Sequence, residues 1–357
     1  MIKFDNKTHT NEKFCIKLNF IIIAKTLFHN YNTSMERKEA RAVNKELRMR
    51  GAILKAVLPS YTKKKFVFFN KVTNALFKGN ALTSMVEYNQ IYIDREDGTK
   101  LRVCVYKPKT KYKNAIGLLW LHGGGYAMGA PEQDIVFIKE FMKKTNCVVV
   151  SPDYTLSVEK PYPAAIDDCY TALKWLKENA DELNVNSSKL FVGGDSAGGG
   201  LTAALSILAR DKGEVSIAFQ MPLYPMLDPR QTESSKNNNA PVWNTKSNIN
   251  AWKIYLGDLY GKDNIPKYAS PAFETDFTGL PPTLTYVGDI EPFLDETKVY
   301  AENLKNAGVP IQFKIFKGCF HGFDIVAGKT KIGKEAKCFL LEGFDYATKH
   351  FSKPQPK

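Results

Sequence analysis

The chain has 357 residues, of which 44% are apolar and 24% are charged. These are the values of ordinary globular proteins; they exclude a disordered or fibrous chain, and the length allows one large core with an accessory segment. The net charge of +13 is concentrated at one end, because residues 1–80 hold 17 Lys and Arg against five Asp and Glu, which leaves +1 for residues 81–357.

Residues 1–34 are interpreted as a basic leader that is either disordered or loosely attached. Its apolar run from Asn19 to Phe28 contains Lys25 and lacks a clear small-residue cleavage site, so it makes a poor signal peptide. The run is also shorter than the roughly 20 apolar residues that span a bilayer. A basic arm can contact anionic lipid, nucleic acid or an acidic partner, but a solvated lysine-rich helical face has the same charge. We favour the solvated face over membrane contact and expect no nucleic-acid partner.

Two helices are predicted between residues 35 and 85. Apolar residues at helical spacing from Met35 to Leu58 predict an amphipathic helix that ends before Pro59. A second helix is predicted to follow the three lysines at 63–65 and to continue to about Phe77, where Gly79-Asn80 marks a break. Both helices precede the predicted sheet and need a surface to pack against.

From residue 86 onward, strands and helices alternate, which predicts a mostly parallel sheet flanked by helices. The first two strands enclose an Asp-Gly turn signal and predict an antiparallel hairpin. Eight strands are predicted: Ile91–Asp94, Leu101–Tyr106, Ala115–Leu121, Cys147–Ser151, Leu190–Gly193, Ile217–Pro222, Thr283–Gly288 and Ile311–Lys317. Helices are predicted at Glu132–Lys144, Ala164–Asn179, Gly198–Asp211 and Asp295–Ala307. The segment 228–271 is too long for a simple connection and is interpreted as part of a lid.

The segment Gly194-Asp195-Ser196-Ala197-Gly198 fits the pattern G-x-S-x-G and lies between a predicted strand and a predicted helix. This context is typical of a nucleophile elbow, a tight turn that presents a serine at the carboxyl edge of a sheet. A phosphate-binding loop would require a lysine after the glycines, and a dinucleotide fingerprint would follow the first strand of its unit. Ser196 is therefore the candidate nucleophile.

The segment His122-Gly123-Gly124-Gly125 directly follows the predicted strand that ends at Leu121. Backbone amides of such glycines can approach the oxyanion that develops during acyl transfer, and the amide of Ala197 is a further candidate donor. Alone this pattern is a weak signal. Together with the elbow about 70 residues later it predicts an acyl-transfer site.

The general base must be a histidine that can reach Ser196, and the chain has five histidines. His9 and His29 lie in the leader, His122 opens the glycine loop, and His350 lies near the C-terminus. His321 remains, in a loop after the last predicted core strand. The third member must be a carboxylate after the strand 283–288, where Asp289, Glu291 and Asp295 are available. Sequence position alone does not choose among them.

These segments resemble the bacterial branch of the hormone-sensitive-lipase-like esterases, which are α/β-hydrolases. The resemblance covers residues 86 to 350 and is carried by H-G-G-G with the following Tyr126, by G-D-S-A-G-G, and by a late carboxylate and histidine. In that family the acid is usually Asp-Pro, four residues before an Asp-Glu pair. Glu291-Pro292 stands in that register here, so the resemblance favours Glu291, although glutamate departs from the commoner aspartate.

The resemblance implies an α/β-hydrolase fold with a mostly parallel eight-stranded sheet and a helical cap. The cap would combine the helices of 35–85 with the insertion at about 228–271 of a catalytic domain that spans 86–357. It also implies Gly124, Gly125 and Ala197 as oxyanion donors and Gly123 as a structural residue.

The predicted function is hydrolysis of a small-molecule ester with a short, acetyl-type acyl chain, through a Ser-His-Glu triad that needs no metal or organic cofactor. An amidase, lactonase or deacetylase would use the same triad. A non-catalytic ligand receptor on the same fold is disfavoured because serine, acid and histidine are all present. The six cysteines show no C-x-x-C spacing, which favours a reducing compartment and a cytoplasmic location. The sequence does not indicate an oligomeric state.

Overall fold

A computed structural model describes residues 42–58, 60–80 and 83–356 of the chain. The predicted leader, residues 1–34, and the first part of the predicted first helix lie outside these residues. Among the described residues, no helix is long and apolar enough to cross a membrane.

The described strands form one eight-stranded sheet in the order β1-β2-β4-β3-β5-β6-β7-β8. The strands are β1 (Val86–Asp94), β2 (Lys100–Pro108), β3 (Ala115–Leu121), β4 (Cys147–Pro152), β5 (Val185–Asp195), β6 (Phe219–Leu223), β7 (Thr283–Gly288) and β8 (Ile311–Phe316). β2 pairs antiparallel with β1 and with β4, and the other neighbours are parallel. The predicted hairpin and the mostly parallel sheet are confirmed.

Helices cover both faces of this sheet. They are α1 (Arg48–Val57), α2 (Lys63–Phe77), α3 (Ile135–Lys144), α4 (Ala164–Glu178), α5 (Ala197–Lys212), α6 (Thr245–Leu256), α7 (Leu294–Asn306), α8 (Phe323–Val326) and α9 (Lys331–His350). Successive side chains of β3 point to opposite sides, so Leu119 and Leu121 belong to one apolar core, while Leu118 and Trp120 belong to the other. Every residue of β3 is buried, as its continuous apolar run predicts.

The prediction of the first helix is wrong at residues 44–47, which form a turn before α1 begins at Arg48. The side chain of Asn44 accepts a hydrogen bond from the Glu46 amide at 3.0 Å, and the Asn44 amide donates to the Gly318 carbonyl at 2.8 Å. Such local side-chain bonds compete with helix formation. The second predicted helix is confirmed as α2.

The C-terminal helix α9 was not predicted. Its signals are present, since Thr330 caps the helix by accepting from the Gly333 amide, and the buried Ala336, Leu340 and Phe344 follow at intervals of four. Its length of 20 residues makes it the longest described helix. It covers the same side of the sheet as α3, where Phe344 lies 4.7 Å from Phe141 between ring centroids.

The helix α2 packs on α6, which belongs to the insertion between β6 and β7. The Tyr61 amide donates to Ser247 Oγ at 2.9 Å, and Asn250 Nδ2 donates to the Tyr61 carbonyl at 2.8 Å. The rings of Phe66 and Trp243 lie 5.3 and 5.6 Å from the Tyr61 ring. These contacts support the proposal that the N-terminal helices and the insertion form one cap.

Candidate active site

Ser196 occupies the sharp turn between β5, which ends at Asp195, and α5, which begins at Ala197. Its φ of 57° and ψ of −118° are rare for a residue other than glycine, as expected of a strained nucleophile elbow. The turn is held by hydrogen bonds, because the Ser196 amide donates to the Leu223 carbonyl at 3.0 Å and its carbonyl accepts from the Met226 amide at 3.0 Å. The serine is thereby fixed at the carboxyl edge of the sheet.

The helix that follows the serine passes close to β3. A Cβ atom on Gly198 would lie 2.0 Å from the Leu121 carbonyl oxygen, well inside contact distance. Glycine is therefore required at this position of the motif because the two backbones approach so closely.

The structure brings Ser196, His321 and Glu291 together. His321 Nε2 lies 2.8 Å from Ser196 Oγ, and His321 Nδ1 lies 2.5 Å from Glu291 Oε2. A carboxylate can only accept, so Nδ1 carries the hydrogen and Nε2 is free to accept from the serine hydroxyl. All three side chains are buried. The arrangement can take a proton from Ser196 and stabilise the imidazolium that results.

The second carboxylate oxygen of Glu291 is also bonded, since Oε1 accepts from the Gly288 amide at 2.7 Å. The two other candidate acids are engaged elsewhere. Asp289 Oδ1 accepts from the Gly318 amide at 2.6 Å, and Asp295 Oδ2 accepts from the Ser234 amide at 2.7 Å. Among the three candidates, the contact with His321 is made by Glu291.

Aromatic rings enclose the imidazole of His321. The centroids of Phe293, Tyr224 and Trp243 lie 4.9, 5.1 and 6.3 Å from its ring, and the first two meet it edge to face. Trp243 lies in the insertion between β6 and β7, just before α6 begins at Thr245. The rings restrict rotation of His321 and exclude water, which strengthens its polar contacts.

The predicted oxyanion donors lie in the glycine loop and at the start of α5. Gly124 has a φ of 128°, and its carbonyl accepts from the Ala127 and Met128 amides, both at 3.1 Å. The amides of Gly124 and Gly125 have no acceptor within the described part of the chain. The Ala197 amide occupies the first position of a helix, where no intrahelical acceptor exists. These three amides are available to a developing oxyanion.

His122 shapes this loop. It is fully buried, and its ring stacks on Tyr154 with centroids 4.2 Å apart. Tyr154 donates its hydroxyl to the His122 carbonyl at 2.8 Å, and Nδ1 lies 2.9 Å from the Gly123 carbonyl oxygen. Burial lowers the pKa of His122, so the imidazole is neutral in this environment.

Two buried carboxyl groups at the elbow, those of Asp134 and Asp195, had no predicted role. Burial raises the pKa of Asp134 to about 6, and burial together with the neighbouring Asp134 raises the pKa of Asp195 well above its ordinary value. Trp120 Nε1 donates to Asp134 Oδ2 at 2.9 Å. Two adjacent buried carboxyls resist ionising together, which contributes to the raised pKa of Asp195. The sequence signal that could have drawn attention to this pair is the position of Asp195 inside the serine motif.

Among the described residues, no group of three or more His, Cys, Asp or Glu side chains is placed to hold a metal ion.

Comparisons with known proteins identify the family to which the chain belongs. A family model for the alpha/beta hydrolase fold matches residues 118–325. Carboxylesterase NlhH of Mycobacterium tuberculosis is 34% identical over 229 residues, which cover 63% of this chain and 72% of that protein. An arylesterase of Saccharolobus solfataricus is 30% identical over 274 residues, or 75% of this chain and 88% of that protein. The solved structure of a bacterial heroin esterase gives a TM-score of 0.79 at 30% identity and covers 86% of this chain and 98% of that one.

Proposed function

This chain is a carboxylic ester hydrolase of the α/β-hydrolase family, in its hormone-sensitive-lipase-like branch, and we propose that it works through the triad Ser196, His321 and Glu291. The observation that carries the proposal is the continuous hydrogen-bonded line from Ser196 Oγ through the imidazole to Glu291. A serine at a strained elbow, a histidine held in one tautomer and a buried carboxylate together make an activated nucleophile.

In the first half of the reaction, Ser196 Oγ attacks the ester carbonyl carbon while its proton passes to His321 Nε2. The carbonyl electron pair moves onto oxygen, and the Gly124, Gly125 and Ala197 amides donate hydrogen bonds to that oxyanion. The intermediate collapses as the carbon–alkoxide bond breaks, and Nε2 returns the proton to the leaving alcohol. The acyl group remains bonded to Ser196.

In the second half, water attacks the acyl carbon and gives a proton to His321 Nε2. The bond to Ser196 Oγ then breaks, and the serine oxygen recovers the proton as the carboxylic acid leaves. Glu291 accepts the hydrogen bond from His321 Nδ1 and stabilises each imidazolium. The net reaction consumes one ester and one water, and it requires no external oxidant or reductant.

We further propose a small, acetyl-type acyl group. Ser196 is 6% exposed, and Phe293 and Trp243 enclose the adjacent His321, so space beside the nucleophile is limited. A series of p-nitrophenyl esters from acetyl to decanoyl tests this proposal. The value of kcat/KM is expected to be highest for the shortest chains, and a maximum at long chains would contradict it. Parallel assays with amides and lactones distinguish an esterase from an amidase, lactonase or deacetylase.

The role of Ser196 is tested by Ser196→Ala with p-nitrophenyl acetate as substrate. We expect turnover to fall by several orders of magnitude and labelling by a fluorophosphonate probe to disappear, because both require an activated serine. The thermal midpoint serves as the folding control. Wild-type turnover or retained labelling in this variant would refute the assignment.

The identity of the acid is tested by comparing Glu291→Gln with the matched variants Asp289→Asn and Asp295→Asn. Loss of a carboxylate that holds the histidine tautomer is expected to lower kcat on the order of 10⁴-fold. The two aspartate variants change residues that bond the Gly318 and Ser234 amides, so they should affect stability more than kcat. Loss of turnover in Asp289→Asn alone would show that Asp289 is the acid.

The cytoplasmic location inferred from the cysteine pattern stays a prediction.

A further inference from the structure

The helix α2 is part of the proposed cap beside the candidate active site. Its inward-facing Phe66 is fully buried and lies 6.2 Å from Trp243 between ring centroids. Trp243 in turn lies 6.3 Å from the ring of His321. One face of α2 is therefore connected by two aromatic contacts to the general base.

The opposite face of α2 exposes large apolar side chains. Phe68 and Leu76 are each 61% exposed, while Val67 and Val72 are 38% and 37% exposed. Residues 68, 72 and 76 are four positions apart, so they form one stripe along the helix. Most exposed apolar residues of a folded protein are scattered singly, whereas a contiguous stripe of this kind marks a surface that contacts something other than water.

Lysines accompany this stripe. The helix contains Lys63, Lys64, Lys65 and Lys71 and no acidic residue. Lys63, Lys64 and Lys71 are exposed, and none of the three forms an ion pair with a described residue. A solvated lysine-rich face accounts for the charge but not for the apolar side chains between the lysines.

We propose that the outer face of α2, defined by Lys64, Val67, Phe68, Lys71, Val72 and Leu76, docks on an anionic lipid surface. The apolar stripe enters the boundary between head groups and acyl chains, and the lysines contact the negatively charged head groups. A second copy of the chain is a poorer occupant, because two such faces would bring like charges together. Lipid binding by α2 does not require the proposed chemistry of Ser196.

Vesicle co-sedimentation of the full chain tests the proposal. The wild type is expected to sediment with vesicles of mixed phosphatidylglycerol and phosphatidylcholine and to remain in solution with phosphatidylcholine alone. Absence of binding to the mixed vesicles, or equal binding to both kinds, would overturn the proposal.

Two variants locate the contact, Phe68→Gln/Leu76→Gln for the apolar stripe and Lys64→Gln/Lys71→Gln for the charges. Each is expected to weaken vesicle binding at least about tenfold, since each removes two groups that meet the lipid. Val299→Gln is the matched control, because Val299 is 55% exposed on α7 and lies outside the proposed face. The leader of residues 1–34 is intact in every variant. If both α2 variants bind as the wild type does, the surface lies elsewhere and the proposal fails. Far-ultraviolet circular dichroism and the thermal midpoint confirm that each variant is folded.

Discussion

Glu132 is buried with four hydrogen bonds, and replacing it with glutamine should cost the protein much of its stability. Its Oε1 accepts from Arg102 Nη1, from the Gly79 amide and from the Tyr88 hydroxyl, each at 2.7 Å. Its Oε2 accepts from Arg102 Nη2 at 3.2 Å. Burial alone would raise the pKa of this carboxyl, but the bonds from Arg102, Gly79 and Tyr88 outweigh burial and lower it from 4.5 to about 2.

The expected loss of stability in Glu132→Gln follows from the lowered pKa of Glu132. A difference in pKa of about 2.5 between folded and unfolded chains corresponds to about 3 kcal/mol of stability at neutral pH. Glutamine keeps the shape but has no charge, and it turns one acceptor into a donor that faces Arg102. Breaking a buried ion pair typically costs about 3 to 5 kcal/mol. Asp153 Oδ2 remains 2.9 Å from Arg102 Nε, so we expect the lower end of this range.

Urea unfolding of Glu132→Gln at pH 7 measures the loss, with Glu335→Gln as the control. Glu335 pairs with Lys314 at 2.9 Å on the surface, where the two side chains are 47% and 37% exposed. An exposed pair contributes about 0 to 1 kcal/mol, so the control should stay within about 0.5 kcal/mol of the wild type.

The pH dependence gives a second criterion. A carboxyl whose pKa is depressed on folding stabilises the protein above its unfolded pKa of 4.5, and that stabilisation is lost as the pH falls toward 2. The gap between wild type and Glu132→Gln should therefore narrow from about 3 kcal/mol at pH 7 to about 2 kcal/mol at pH 3.5. A gap below about 1 kcal/mol at pH 7, or one that does not narrow, would refute this account of Glu132.

Three further outcomes are expected. Gly124→Ala would place a Cβ atom 2.0 Å from the Met128 carbonyl oxygen, so the loop must move and kcat should fall about 10²- to 10³-fold; unchanged kcat would remove Gly124 from the oxyanion hole. Since burial raises the pKa of Asp134 to about 6, ionisation destabilises the fold as the pH rises from 3.8 through 6. Asp134→Asn should accordingly gain urea resistance relative to the wild type between pH 5 and pH 8, and a constant difference would contradict the assigned cause. Phe66→Ala removes a buried ring from the cap, so amide hydrogen exchange in α2 should accelerate. If the exchange rates of the α2 amides stayed unchanged, the stacking of Phe66 on Tyr61 would not be what holds this helix in place.

The central sheet was the part of the fold most accessible to prediction, because β3 and β4 are continuous apolar runs buried on both faces. The helix α9 was missed although its cap and its apolar spacing are present, since charged and glycine residues dilute the pattern. At residues 44–47, the Asn44 side chain accepts a hydrogen bond from the Glu46 amide and the Asn44 amide donates to Gly318, and both bonds compete with helix formation. The spacing of apolar residues carries no information about such local hydrogen bonds.

The serine and the histidine of the candidate site were predicted from one motif and from elimination. The acid could not be chosen from the residues, because Asp289, Glu291 and Asp295 lie within seven positions, and only the path of the loop separates them. Glu291 turns inward to His321, whereas the other two carboxyls hold backbone amides. The raised pKa of Asp195 depends on its burial beside Asp134, which is far away in the sequence, so it has no local signature.

The helix α2 is anchored at both of its ends, and this limits how the helix can move relative to the rest of the cap. At one end Tyr61 is tied to α6 by two hydrogen bonds, and at the other the Gly79 amide is tied to Glu132 in the main body. A rigid swing of α2 alone would break one set or the other. A displacement of α2 that keeps the two bonds at Tyr61 must carry α6 with it, and acid that protonates Glu132 weakens the bond at Gly79.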